Sequence, residues 1–150
     1  MSGHRFRCRV YFEDTDAGGV VYHASYLRFA ERARTEALRD LGVPHAVLLD
    51  RFGLIFVVRR IKLDYLRPAR LDDSLEIDTR VLGFGASRVE LSQIVRREGE
   101  RLAEAEITLA CVRRRDGRPA RIPPPWRGAL ARLAAAEVGD GTDRPQLEAK

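Results

Sequence analysis

Long apolar runs are missing from this sequence. No stretch approaches the roughly 20 consecutive apolar residues that a membrane-spanning helix requires. The opening MSGHRFRCRVYFEDTDAGG holds no apolar core of the kind found in secretion signals, so a cytoplasmic location is expected. Cysteine is scarce. Cys8 and Cys111 are too few for a disulfide scaffold, and both sit in apolar-alternating runs that read as buried free thiols. His4, His23 and His45 are scattered, and no Cys/His spacing resembles a zinc site, so no metal is expected. Lysine is almost absent: only Lys62 and Lys150 occur among 27 basic residues, and the net charge is +5. The arginines are spread along the chain. They form neither an arginine-rich helix nor an aromatic-studded strand, which sets nucleic acid aside as a partner. There is no Gly-x-Ser-x-Gly elbow, no Cys-His pair, no phosphate loop and no Gly-x-Gly-x-x-Gly; Gly83-x-Gly85 lacks the third glycine. No cofactor is expected.

What is present suits one packed domain: 150 residues, 45% hydrophobic and 33% charged. Arg5 to Phe12 alternates strictly, with Phe6, Cys8, Val10 and Phe12 on one side, and predicts a strand with one buried face. The period then changes. Tyr26, Ala30, Ala33, Ala37 and Leu41 recur at spacings of three and four, which predicts one amphipathic helix of about 18 residues, about 27 Å long. Its surface offers the pairs Glu31–Arg34 and Arg32–Glu36. Gly42 and Pro44 end it. A short helix from Pro44 to about Asp50 follows. Four β runs come next: Leu54–Leu66, Leu75–Leu82, Arg88–Arg96 and Leu102–Val112. Gly83-Phe84-Gly85 and Glu98-Gly99-Glu100 are hairpin-like breaks, so antiparallel pairing is expected. Pro123-Pro124-Pro125 opens an Ala-rich helix to about Ala136.

The order strand, long helix, four strands predicts an α+β domain over residues 1–136, a curved five-stranded antiparallel sheet around one long central helix. Residues 137–150 read as a loose tail. One helix is too short to cover such a sheet, so a homodimer or homotetramer is expected.

The chemistry concentrates between the first strand and the long helix, in Glu13-Asp14-Thr15-Asp16-Ala17-Gly18-Gly19-Val20-Val21-Tyr22-His23. A solvated acidic turn before a helix explains the composition adequately. A functional reading is also open. A carboxylate beside a helix N-terminus faces free backbone N–H groups that can grip a developing oxyanion, while the carboxylate attacks or activates water. That pairing makes an acyl-transfer site without serine or metal.

The run Arg9-Val10-Tyr11-Phe12-Glu13-Asp14-Thr15-Asp16-Ala17-Gly18-Gly19-Val20-Val21-Tyr22-His23-Ala24-Ser25-Tyr26-Leu27 resembles the signature of the Tol-Pal-associated acyl-CoA thioesterases, in the 4-hydroxybenzoyl-CoA thioesterase branch of the hotdog fold. Phe29–Glu36, Phe56–Arg60 and Tyr65–Asp73 fit the same family, and the likeness runs from about residue 5 to about residue 125. The resemblance implies a sheet wrapped round one helix and dimerisation by sheet continuation. It implies hydrolysis of an acyl-CoA thioester, with Asp16 as the catalytic aspartate and His23 at the position whose backbone N–H polarises the carbonyl. Asp16 and His23 are seven apart with Gly18-Gly19 between them, which favours thioesterases over hotdog hydratases and their Asp-x-x-x-x-His pair. Tyr22 is a candidate for the acyl pocket, and Asp14 and Glu13 are expected to be structural. The Tol-Pal link concerns genomic setting only. The alternative is a non-catalytic module binding acyl-CoA or acyl carrier protein, whose acidity would suit the basic chain.

Overall fold

The computed structural model describes residues 3–135. The elements are β1 (His4–Arg9), α1 (Ser25–Asp40), α2 (His45–Phe52), β2 (Leu54–Tyr65), β3 (Ser74–Phe84), β4 (Arg88–Arg97), β5 (Glu100–Arg113) and α3 (Pro124–Ala135), with a 3-10 turn at Phe12–Asp14. The strands form one antiparallel sheet in the order β1-β3-β4-β5-β2. β1 and β2 are therefore its edges. Register slips at Val58/Arg60, Val81/Gly83 and Val95/Arg96 are bulges, which bend and twist a sheet.

Local chemistry explains the elements. α1 is made of good helix formers, SYLRFAERARTEALRD. It stops in a Schellman arrangement: the Gly42 N–H donates to the Arg39 carbonyl at 3.0 Å and the Val43 N–H to the Leu38 carbonyl at 2.9 Å. Gly42 carries the φ of +82° that this geometry needs. Leu38 and Val43, the hydrophobic pair of the motif, are both buried. Glu98 and Gly99, both at positive φ, make the tight β4–β5 turn.

The core lies between the sheet and the helices in two clusters. One packs Phe29 and Ala33 of α1 against Leu75, Ile77, Val95 and Leu102, and also takes in Val21 and Ala69 from the loops. The other joins Ala30, Ala37 and Leu38 of α1 to Leu91, Ile107 and Leu109, capped by Trp126, Leu130 and Leu133 of α3. Each fully buried large side chain contributes about 1.5–3 kcal/mol. The third helix shares the inner face with α1, which is the one long helix of the fold.

Several details depart from the sequence reading. β1 ends at Arg9, and Phe12 is 81% exposed because the chain turns into the 3-10 segment before it could point inward. α1 has 16 residues, shorter than expected. α2 extends to Phe52 and ends at Gly53, at φ +66°. Gly83-Phe84 belongs to β3, with Gly83 at a bulge and not in the turn. Glu36 pairs with Arg39 instead of Arg32. Arg34 donates to Gln93 rather than to Glu31. Glu104, a charged residue within the Leu102–Val112 run, is only 8% exposed and takes a 2.6 Å bond from Arg101. The predicted tail lies outside the described residues.

Candidate active site

The loop between β1 and α1 is a small hairpin. The Tyr22 N–H donates to the Asp14 carbonyl at 2.8 Å, Thr15 bridges Val21, and the Asp16 N–H donates to the Val20 carbonyl at 2.9 Å. The Gly19 N–H closes the turn onto the Asp16 carbonyl at 3.0 Å. Gly19 holds φ +83°, the left-handed position that follows a type I turn in a three-residue hairpin loop. The Gly18 N–H donates to Asp16 Oδ1 at 2.8 Å, an Asx-turn bond. Oδ2 of Asp16 makes no hydrogen bond among the described residues, and the side chain is exposed.

The two neighbouring acids do different work. Asp14 is buried, and its Oδ2 accepts the Tyr11 N–H at 2.8 Å. Its carbonyl takes the Ser25 hydroxyl at 3.2 Å. It fastens the loop, the structural part expected of it. Glu13 is exposed.

The loop is pinned from the other side as well. The Val21 N–H donates to the Ala69 carbonyl at 2.8 Å, and Val20 bridges Arg70. The Tyr65 hydroxyl donates to the His23 carbonyl at 2.8 Å, and the Ala69 N–H donates to the Tyr26 hydroxyl at 3.2 Å. The stretch after β2 is therefore the seat of the loop. Asp73, which accepts from Arg97 at 2.8 Å and from the Arg70 N–H at 2.8 Å, keeps that stretch in place. Although partial burial opposes it, those bonds and the Arg97 charge hold the Asp73 carboxyl below its usual range.

His23 sits just ahead of α1, whose N-cap is Ala24. Its backbone N–H has no acceptor among the described residues, as is typical where a helix begins. The macrodipole places partial positive charge there. The Tyr22 and His23 rings lie 4.4 Å apart, and both side chains are exposed. Asp16, Tyr22 and His23 are thus carried on one hairpin-to-helix junction, on an open face of the chain.

A family model described as the thioesterase-like superfamily matches residues 10–130. The chain belongs to that superfamily. YbgC of Escherichia coli O6:H1, an acyl-CoA thioester hydrolase, is 50% identical over 109 residues, covering 72% of this chain and 81% of that protein. The acyl-CoA thioesterase YbgC of Haemophilus influenzae is 42% identical over 132 residues, covering 88% and 97%. The crystal structure of a probable thioesterase from Bartonella henselae superposes with a TM-score of 0.77 at 38% identity, over 81% of this chain and 100% of that one. The α+β architecture of this thioesterase is the hotdog fold that the sequence led us to expect.

Two groups of residues in this hotdog thioesterase escaped the sequence reading. Tyr65 was one letter of a resembling segment, and nothing in its spacing points to His23. Thr79 and Gln93 did leave a signal. They occupy inward register positions of β3 and β4, where apolar residues alternate, and each is 1% exposed. A polar residue on a buried strand face needs a partner. Here Gln93 Nε2 donates to Thr79 Oγ1 at 2.8 Å and to the Ala30 carbonyl at 2.9 Å. Among the described residues no His/Cys/Asp/Glu cluster could hold a metal, and no helix is long and apolar enough to cross a membrane.

Proposed function

We propose that this protein hydrolyses acyl-CoA thioesters, with Asp16 as the reacting carboxylate and the His23 N–H as the carbonyl's hydrogen-bond donor. The observation that carries the assignment is the shared junction: a carboxylate oriented through Oδ1, with Oδ2 unbonded, on the hairpin that delivers an unpartnered amide at the start of α1. The thioester oxygen accepts from that amide, and the helix dipole favours the negative charge that develops on it. Asp16 then follows one of two routes. As nucleophile it displaces CoA thiolate and forms a mixed anhydride that water cleaves. As general base it takes a proton from water as the water attacks. Both need ionised Asp16 and both end in free acid and CoA thiol. Tyr22, exposed beside His23, flanks the acyl group in this reading.

The acting unit in this reading is a homo-oligomer. β2 is an edge strand bearing exposed Val58, Ile61 and Tyr65, with Leu66 beyond its end. A second copy adding to this edge would satisfy its free backbone groups and cover those side chains. Cys8 and Cys111 are free, which fits a reducing cytoplasm.

The test is thiol release from short, long and aromatic acyl-CoAs and from acylated acyl carrier protein. Asp16→Asn keeps the Oδ1 acceptor and therefore the turn. It is expected to lower turnover by at least about a hundredfold with melting temperature and substrate binding intact. Parent-like turnover by Asp16→Asn would overturn the assignment of Asp16. Saturable binding without release by the parent protein would favour the binding module instead.

A further inference from the structure

One cavity is distinct in composition from the loop just described. It holds about 350 Å³ between α1, the sheet and α3, and its walls are mostly apolar, with Leu91, Leu109, Leu130 and Leu133 among them. On α1 it is lined by Leu27, Arg28, Glu31, Arg34, Ala37 and Leu38. Leu27, Glu31, Arg34 and Leu38 recur at four, three and four residues and form one stripe along the helix. His23 lies four positions before Leu27, in the turn that leads into the helix. The cavity begins at the first turn of the helix that follows the His23 amide, where an acyl group bound at that amide would enter it. Leu27 to Arg34 spans about 10 Å at 1.5 Å per residue.

The cavity wall carries a charge. Arg34 Nη1 donates to Gln93 Oε1 at 3.1 Å, the only hydrogen bond of that guanidinium among the described residues. A guanidinium has five donors, so the others have no protein acceptor there. Burial lowers the pKa of Arg34, and the Glu31 charge opposes that shift. Behind Arg34, Gln93 is fixed by Thr79 and by the Ala30 carbonyl, so the group that orients the guanidinium is itself held on two sides. The His45 ring lines the same cavity, packed edge-on against Phe56 at 6.3 Å. A purely hydrocarbon tail would fill the apolar walls but leave these donors unmatched, which is costly in a half-buried site.

We propose that this cavity selects acyl groups bearing an oxygen acceptor, hydroxyl or carboxylate, on their distal half, and that Arg34, oriented by Gln93 and Thr79, is the specificity-determining residue. The inference rests on the acyl-CoA reading above and names the substrate class for that site. A carboxylate can take the guanidinium fork through two bonds and a hydroxyl through one.

The experiment compares dodecanoyl-CoA, 12-hydroxydodecanoyl-CoA and the CoA monothioester of dodecanedioic acid, by kcat/KM and by calorimetric binding of their non-hydrolysable thioether analogues. The parent protein is expected to favour an oxygen-bearing member at least about tenfold, one charge-assisted hydrogen bond's worth. Arg34→Met should abolish that preference, losing more kcat/KM on the oxygen-bearing substrates than on the unsubstituted acyl-CoA, and Arg34→Lys should retain part of the preference for the carboxylate. The two oxygen-bearing substrates show which acceptor is used. No preference in the parent, or an equal loss on all three substrates in Arg34→Met, overturns the proposal. Should Arg34→Met not fold, the Arg34→Lys ratio decides: a preference unchanged for both oxygen-bearing substrates overturns it. If no thioester is cleaved by the parent protein, the hydrolase reading fails, and the analogue-binding ratios still decide this inference separately.

Discussion

The Gly18 N–H sits 2.8 Å from Oδ1 of Asp16, and a Cβ added at Gly18 would lie 3.2 Å from that same oxygen. The glycine therefore orients the carboxylate through its amide and makes room for it by having no side chain. At Gly19 an added Cβ meets nothing within 4 Å, but the backbone stands at φ +83°. One glycine is constrained by contact, the other by conformation.

That difference separates two variants. Gly18→Ala is expected to displace the Asp16 carboxylate by a few tenths of an ångström, lowering kcat with little loss of stability. Gly19→Val strains the backbone by about 1–2 kcal/mol, lowering both the melting temperature and activity. Thermal melts beside thiol-release kinetics read the contrast, and equal stability losses in the two variants would count against it.

The role of His23 divides between its backbone and its ring. His23→Ala keeps the amide and should retain activity within about tenfold. His23→Pro removes the amide, and loss of one oxyanion donor costs about 10²–10³ in kcat. Circular dichroism checks that α1 survives. If alanine costs as much as proline, the imidazole carries the role.

Asp14 is predicted to serve stability. Its carboxylate takes the Tyr11 amide at 2.8 Å and is only 5% exposed. Asp14→Ala leaves that amide without its acceptor and should cost about 1–3 kcal/mol in urea unfolding. Asp16→Asn should leave the same midpoint unchanged. The reverse ranking would mean that the two aspartates have been assigned the wrong way round.

His45 gives the fold a pH dependence. Burial, and then the neighbouring Arg34 charge, lower its pKa below the ordinary 6.5, with Glu31 opposing and Arg39 adding to the shift. The unfolded chain then binds this proton more readily than the folded one, so stability rises with pH across the window below 6.5 and falls as pH drops through it. Urea midpoints at about pH 5.5 and 7.5 should differ less in His45→Gln than in the parent. An unchanged difference would show that other groups carry it.

The sequence by itself determined where chain direction and local period change. The 3.6-residue stripe of α1, its stop at Gly42, the four later strands and the Asp-x-Gly-Gly turn all follow from backbone preference and from which face is apolar. These are short-range effects, so they are legible along the chain. Phe12 shows the limit: its alternation matched a strand, but the 3-10 turn that ends β1 exposes it. What only the tertiary structure decided is which groups distant along the chain meet. Tyr65 reaches His23 across 42 positions, and Arg34 reaches Gln93 across 59. The packing of α3 on β3 brings Leu130 and Leu133 to the wall of the cavity. Periodicity records that a face is buried. It carries no information about what buries it, because that depends on sheet order and strand register, which are set by the packing of the whole chain.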